Sequence, residues 1–209
     1  ESSAQSTAMF KNRDPLATLP PVFSEQRMMN TIKYLASDEL KGRGLGTPEL
    51  DAAANYIADK FEEYGLKPMD KSYFQEFSHS FHGKGELQMK NVIGIIPGID
   101  PKLKDSPVVL SAHYDHLGQG WPDVHSGDEG KIHHGADDNA SGVSILIELA
   151  KSMGTSLNPK RTIIFVAFTG EEAGLVGSRY FVDQIKKHFK GDVIANVNLD
   201  TNGSLFDKK

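Results

Sequence analysis

From residue 107 to residue 199 short apolar runs alternate with helical periods, and that alternation narrows the fold more than any other feature of the chain. Residues 107–112, 161–168 and 193–199 read as strands, and residues 142–153 and 174–189 as helices. A strand–helix–strand–helix–strand order predicts an α/β fold with a mostly parallel sheet covered on both faces. Upstream, Ser24 is placed to cap a first helix with Met28, Met29, Ile32 and Leu35 on its buried side. Thr47-Pro48-Glu49 opens a second helix, lined inside by Ala53, Ile57, Phe61 and Tyr64 and closed by Gly65. Between them, Lys41-Gly42-Arg43-Gly44-Leu45-Gly46-Thr47 reads as a glycine-rich loop, since its spacing is not that of the dinucleotide fingerprint. Residues 73–97 alternate in the β manner. The polar, proline-bearing residues 1–22 read as an N-terminal arm, and residues 23–209 as one domain.

Composition removes several functions. A net charge of -5 over 209 residues argues against a nucleic-acid partner. No apolar run approaches the roughly 20 residues of a membrane span. These residues contain no cysteine, which excludes disulfides and thiolate zinc sites within them.

In a sheet of this kind, functional groups gather beyond the carboxyl ends of the strands. His113-Tyr114-Asp115 follows the first of the three strands, Thr169-Gly170-Glu171-Glu172 the second, and Asp200-Thr201-Asn202-Gly203 the third. A fourth cluster, Gly135-Ala136-Asp137-Asp138-Asn139-Ala140-Ser141-Gly142, delivers two carboxylates just before a helix that Ser141 or Asn139 is placed to cap. An acid after a strand is commonly only a polar turn. One imidazole and six carboxylates on one rim are different, because they do not stay ionised together without a cation. Nitrogen and oxygen donors without thiolate suit zinc, manganese or cobalt. In an extended chain His113 and Asp115 share a side, so the acid can hold one ring nitrogen while the other binds metal. One aspartate can bridge two ions roughly 3.5–4 Å apart. Of the adjacent Glu171 and Glu172, one can ligate while the other stays free as a base. The set points to metal-assisted hydrolysis of an amide. His79 and His82, with no acidic partner nearby, read as structural or solvated.

These four motifs, with 40–48 and 91–98 as lead-in segments, resemble the co-catalytic zinc exopeptidases of the bacterial leucyl aminopeptidase type, metallopeptidase family 28. The resemblance implies a three-layer α/β/α zinc-exopeptidase-like fold with a mostly parallel mixed sheet, two zinc ions in the family (or one in this chain), and a peptide substrate with a free amino terminus. It implies His113 and Asp200 as ligands of one ion, Asp115 as the orienting partner of His113, and Asp138 as the bridging ligand, joined to Asn139 by a cis peptide. Asp137 becomes a supporting residue, Glu172 a ligand of the second ion and Glu171 the general base. A periplasmic or secreted location goes with it. The family pattern ends with a histidine on a later loop, and no matching position precedes Lys209; the last part of the sheet and the final helix also look absent. The chain therefore reads as truncated, with water, His116, His125, His133 or His134 open as substitutes. The long loop 116–134 is expected to wall the pocket. A glutaminyl cyclase, a carboxypeptidase and an inert binding module are the competing readings.

Overall fold

The computed structural model describes residues 23–124, 126–154 and 156–203; the expected arm over 1–22 and His125 lie outside the described residues. The first helix, α1 (Glu25–Leu35), is capped by Ser24, whose hydroxyl accepts from the Arg27 N–H at 3.3 Å. Met29 does not lie on its buried side as expected. It is exposed, because the narrow face that packs along α3 runs through Thr31 and Leu35 instead. Helix α2 (Pro48–Glu63) begins where the sequence places it, with the Thr47 hydroxyl accepting from Leu50 N–H at 3.2 Å. Its Ala53, Ile57 and Phe61 are fully buried.

Six strands follow: β1 (Lys67–Pro68), β2 (Phe74–Phe81), β3 (Gly85–Ile96), β4 (Val108–His113), β5 (Ile163–Phe168) and β6 (Ala195–Asn198). Helix α3 (Gly142–Gly154) stands between β4 and β5, and α4 (Val176–Ile185) between β5 and β6. α4 is shorter than its periodicity suggests. The chain leaves β5 through a turn in which Gly174 and Leu175 both donate to the Glu171 carbonyl, with Leu175 at φ 62°, and helix begins only beyond it. At its far end, Lys187 and His188 bond back only three residues, which tightens and ends the helix.

The sheet order is β1-β3-β5-β4-β6, with β2 also paired to β3. β4 runs parallel to both β5 and β6, whereas β3 is antiparallel to β1, β2 and β5. The sheet is thus mixed: the tight β2–β3 hairpin builds the antiparallel side, and helical crossovers build the parallel side that carries the acid clusters. Alternation along β5 sorts the layers. Phe165 and Ala167 face the core under α2 and α3, while Ile164, Val166 and Phe168 face Phe181 and Ile185 of α4. Among the described residues no helix is long and apolar enough to cross a membrane.

Register decides what the strand ends bring together. Ala112 is level with Ala167 and His113 with Phe168, so Asp115 and Glu171 emerge at the same edge. Ser111 is level with Asn198, and Leu199 N–H donates to the Ser111 carbonyl at 2.7 Å, which sets Asp200 beside His113.

Candidate metal centre

The centre of the rim is His113, whose side chain is only 2% exposed. Its Nδ1 lies 3.2 Å from the Asp115 carbonyl. A carbonyl only accepts, so Nδ1 carries the hydrogen and Nε2 is turned to the cluster. Nε2 is 3.0 Å from Asp138 Oδ1, 3.5 Å from Asp200 Oδ1 and 4.0 Å from Glu171 Oε2. The Asp115 carboxylate is farther from the ring, 3.8 Å from Nδ1. It is fully buried and accepts instead from the main-chain N–H groups of Glu171 (3.1 Å) and Glu172 (3.4 Å). Its contact with the two glutamates sets their turn against the end of β4, while its carbonyl orients the imidazole.

Asp138 reaches the site from a helical turn, Ala136–Ser141, that is broken at Asp138 and Asn139 by non-helical backbone angles. The Asp138–Asn139 peptide is cis, as the resemblance implies. Asn139 holds this turn in place: its amide donates to the Leu199 carbonyl (2.9 Å) and the His113 carbonyl (3.3 Å), and its Oδ1 accepts from Gly142 N–H (3.1 Å). Asn139, not Ser141, is therefore the residue that caps the start of α3. Ser141 donates to the Asp137 carbonyl and accepts from Asn202 N–H. Asp137 accepts from Gly203 N–H at 2.7 Å and is not grouped with the histidines of the site.

Among the described residues three overlapping donor sets arise: His113 with Asp138 and Asp200; His116 with Asp138 and Glu172; and His113 with Glu171 and Glu172. Within each, the ligand atoms all lie within 4.8 Å of one another. The four residues expected as ligands, His113, Asp138, Glu172 and Asp200, are thus brought together, with Asp138 common to two sets. Of the substitutes left open by the sequence, His116 is at the site. His134 pairs instead with Asp38 at 2.7 Å, and His133 belongs to none of the three sets.

The residues fit a divalent cation. Asp138 Oδ1 is buried and makes no hydrogen bond, its contact with His113 being out of alignment for one. A buried carboxylate oxygen left so costs about 1–3 kcal/mol or more unless a cation satisfies it. The donor chemistry, imidazole and carboxylate, is that of zinc. Electrostatics agree. Burial opposes a charge on His113, but Asp115, Asp138 and Glu171 outweigh it and push its pKa up to about 11. Without metal, the cluster holds a proton where a cation would serve. The His113 imidazolium, ahead of the burial that opposes it, keeps Asp138 below the usual carboxylate range. Glu171 behaves oppositely: burial first, then the neighbouring acids Glu172, Asp115 and Asp200, hold its pKa above the usual range despite His113.

One residue of the site was not singled out from the sequence. Arg43, fully buried, donates to the carbonyls of Leu35, Tyr114 (2.9 Å), His134 (2.9 Å) and Gly135 (3.0 Å). It joins the end of α1, the exit of β4 and the entry to the Asp138 turn. Burial lowers its pKa to about 10, partly offset by Asp115, Asp138 and Glu172. Its one sequence signal is a cation set among glycines. The loop 116–134 is tied to the same segment, through His116 N–H to the Arg43 carbonyl (3.1 Å) and Gly118 N–H to the Gly42 carbonyl (3.0 Å). Trp121 packs edge-on against Phe81 of the β2–β3 hairpin. The loop is therefore docked on two sides of the rim.

Residues 91–208 match the model of Peptidase family M28. The chain is 34% identical over 120 residues to Aminopeptidase YwaD of Bacillus subtilis (strain 168), covering 57% of this chain and 23% of that protein. It is 29% identical over 197 residues to a Probable zinc metalloprotease of Pyrenophora teres f. teres (strain 0-1), covering 87% of this chain and 39% of that one. Among solved structures, the glutaminyl cyclase of Porphyromonas gingivalis superposes with a TM-score of 0.67 at 22% identity, covering 88% of this chain and 62% of that chain, a likeness of fold. The chain spans less than half the length of either of these two curated relatives.

Proposed function

The chain belongs to peptidase family M28, whose model covers more than half of it, and on that premise we propose that it is the catalytic part of a zinc-dependent aminopeptidase, acting on peptides with a free amino terminus. The observation that carries the reading is the separation of roles between two adjacent glutamates. Glu172 enters two donor sets, one of them with Asp138, while Glu171 enters only the set that lacks Asp138; its carboxyl has no hydrogen bond among the described residues, stands one-third exposed at the rim, and has a raised pKa. A carboxylate of raised basicity facing the cluster is suited to take a proton from water and return it to a departing amine. His113, Asp138 and Asp200 would hold one zinc ion, and Asp138 and Glu172 would contribute to a second. Zinc there supplies Lewis acidity, polarising a carbonyl and lowering the pKa of water. Asp115 keeps Glu171 and Glu172 in register through their N–H groups, and Asn139 keeps the Asp138 turn against β4 and β6.

A cyclase reading is favoured by the fold likeness to glutaminyl cyclase, and carboxypeptidase chemistry uses the same donor types. A substrate panel separates them. The aminopeptidase reading expects hydrolysis of aminoacyl amides and of peptides with free amino termini, and none of the same peptides N-acetylated. Cyclisation of N-terminal glutamine without hydrolysis, or cleavage of the N-acetylated peptides from their carboxyl end, contradicts it.

A further inference from the structure

We infer that Asn91 is a positioning residue for Glu171, closing the neck of the turn from which both glutamates reach the rim; this rests on reading Glu171 as the group that moves a proton. Asn91 stands on β3 one residue beyond the last β3–β5 pair, Val92 with Ala167, where the strand passes the end of β5. It is fully buried, and its amide is used on both sides. Oδ1 accepts from Thr169 N–H at 3.2 Å, while Nδ2 donates to the Gly177 carbonyl at 2.9 Å and to Gln75 Oε1 at 2.9 Å. Thr169 and Gly177 are also bonded to each other, Gly177 N–H donating to the Thr169 carbonyl at 3.0 Å. Asn91 takes up the two main-chain groups which that bond leaves over, the Thr169 N–H and the Gly177 carbonyl. One buried side chain thus bridges the two ends of residues 169–177.

The hold has a direction. A flipped amide would set its NH2 against the Thr169 N–H and its oxygen against the Gly177 carbonyl, two donors and two acceptors facing each other. Gln75, opposite Asn91 in the β2–β3 register, accepts the second Nδ2 hydrogen and fixes the same orientation. On the metal side, Asp115 accepts from the N–H groups of Glu171 and Glu172. The turn is therefore pinned at its tip by Asp115 and at its neck by Asn91. The Glu171 carboxyl makes no hydrogen bond of its own among the described residues, so its place 4.0 Å from His113 Nε2 depends on these two holds. Such alignment bears steeply on rate, since a misplacement of about 1 Å can cost about 10²-fold. The plainer account is that the amide only satisfies buried polar groups and stabilises the fold.

Amide hydrogen exchange of the metal-free protein, with steady-state hydrolysis of an aminoacyl amide in the presence of zinc, decides between them. Asn91→Asp nearly keeps the shape and the Thr169 bond, but sets a carboxylate oxygen against the Gly177 and Gln75 oxygens. In this variant exchange at the Glu171 and Glu172 N–H groups is expected to quicken by about 10-fold more than at Phe165 within β5. Its kcat is expected to fall by roughly 10- to 100-fold with KM little changed. Ile57→Ala, in the core of α2, serves as a control that loses stability without touching the turn and keeps native kcat. Gln75→Leu should repeat the Asn91→Asp pattern more weakly, and Gln75→Glu, which still accepts, should restore native behaviour; this pair carries the test if Asn91→Asp does not fold. Native exchange at the two glutamates, or a loss of kcat that Ile57→Ala matches at equal stability, overturns the inference and leaves the hydrolase reading standing. A native chain that hydrolyses no aminoacyl amide overturns the hydrolase reading instead, and the exchange pattern alone then decides whether Asn91 holds the turn.

Discussion

Arg43 shows what one buried charge does for the site. Among the described residues no carboxylate pairs with its guanidinium; carbonyls from three separate segments accept its hydrogen bonds. Removing it leaves those oxygens unsatisfied at about 1–3 kcal/mol each where they stay buried. Arg43→Met is expected to lower unfolding free energy by at least about 3 kcal/mol in urea titration, and Arg43→Lys to recover little, since an ammonium does not span the fork. A loss under about 1 kcal/mol would show that the segments hold each other without it. None of this was legible in the sequence, because where an arginine side chain goes is set by tertiary contacts and not by local pattern. His113, Glu171, Glu172 and Asp200 were legible for the opposite reason: strand ends fix where they emerge, and Asp138 was legible from its acid pair set just before a helix start. His116 stayed one of several open candidates because a long loop has no period to orient it.

Among elements, β4, β5 and β6 were readable from their apolar runs and α2 from the Thr47-Pro48 start, residues 73–97 only as β-like alternation and β1 not at all, while α1 and α4 were readable only in outline. The Met29 error came from assigning a wide apolar face to a helix that presents a narrow one. α4 matters most to the site, since it begins just after Glu171 and Glu172. Gly177 lets it lie against β5: a Cβ there would stand 2.2 Å from the Thr169 carbonyl oxygen and 2.4 Å from Asn91 Oδ1. Gly177→Ala is expected to push α4 outward, destabilising the fold by about 1–3 kcal/mol and weakening zinc binding; unchanged stability and affinity would contradict the packing argument. α1 and α3 are joined by Arg27 and Glu148, with Arg27 Nε donating to Glu148 Oε2 at 3.0 Å and Ser24 N–H to Oε1 at 2.7 Å. Burial works to raise the pKa of Glu148, but Arg27 and the Ser24 N–H outweigh it and hold it below its ordinary value of 4.5. A depressed carboxylate contributes stability that is present above the unfolded pKa and lost as pH falls through the folded one. Native protein is therefore expected to lose stability below about pH 4.5, and Glu148→Gln to show a shallower acid limb in urea midpoints. Parallel acid limbs would mean that the pair contributes nothing.

Over the whole molecule, the donors come from four separated places: the end of β4, the turn before α3, the turn after β5 and the exit of β6. Parallel register gathers them, and the repulsion among their charges is what a cation relieves. Strand β6 is the weakest hold on this arrangement, with all four residues exposed and only one strand pairing with it among those described. Zinc that joins Asp200 to His113 and Asp138 is thus expected to raise the melting temperature, adding about 2.7 kcal/mol when free zinc is 100 times its dissociation constant. A chelator should reverse the gain; a melting temperature indifferent to zinc would mean that the acids do not converge on an ion. The broad α/β architecture followed from the order of elements, but the antiparallel half of the sheet did not, because apolar runs carry no sign of strand direction.

The central claim is that this rim holds zinc through His113, Asp138, Glu172 and Asp200 while Glu171 stays free to move a proton. Zinc content and aminoacyl-amide turnover measured together on Glu171→Gln test it most directly. The expected result is native zinc content with turnover lowered by about 10²–10⁴-fold. Loss of zinc from that variant, or turnover near the native rate, would contradict it.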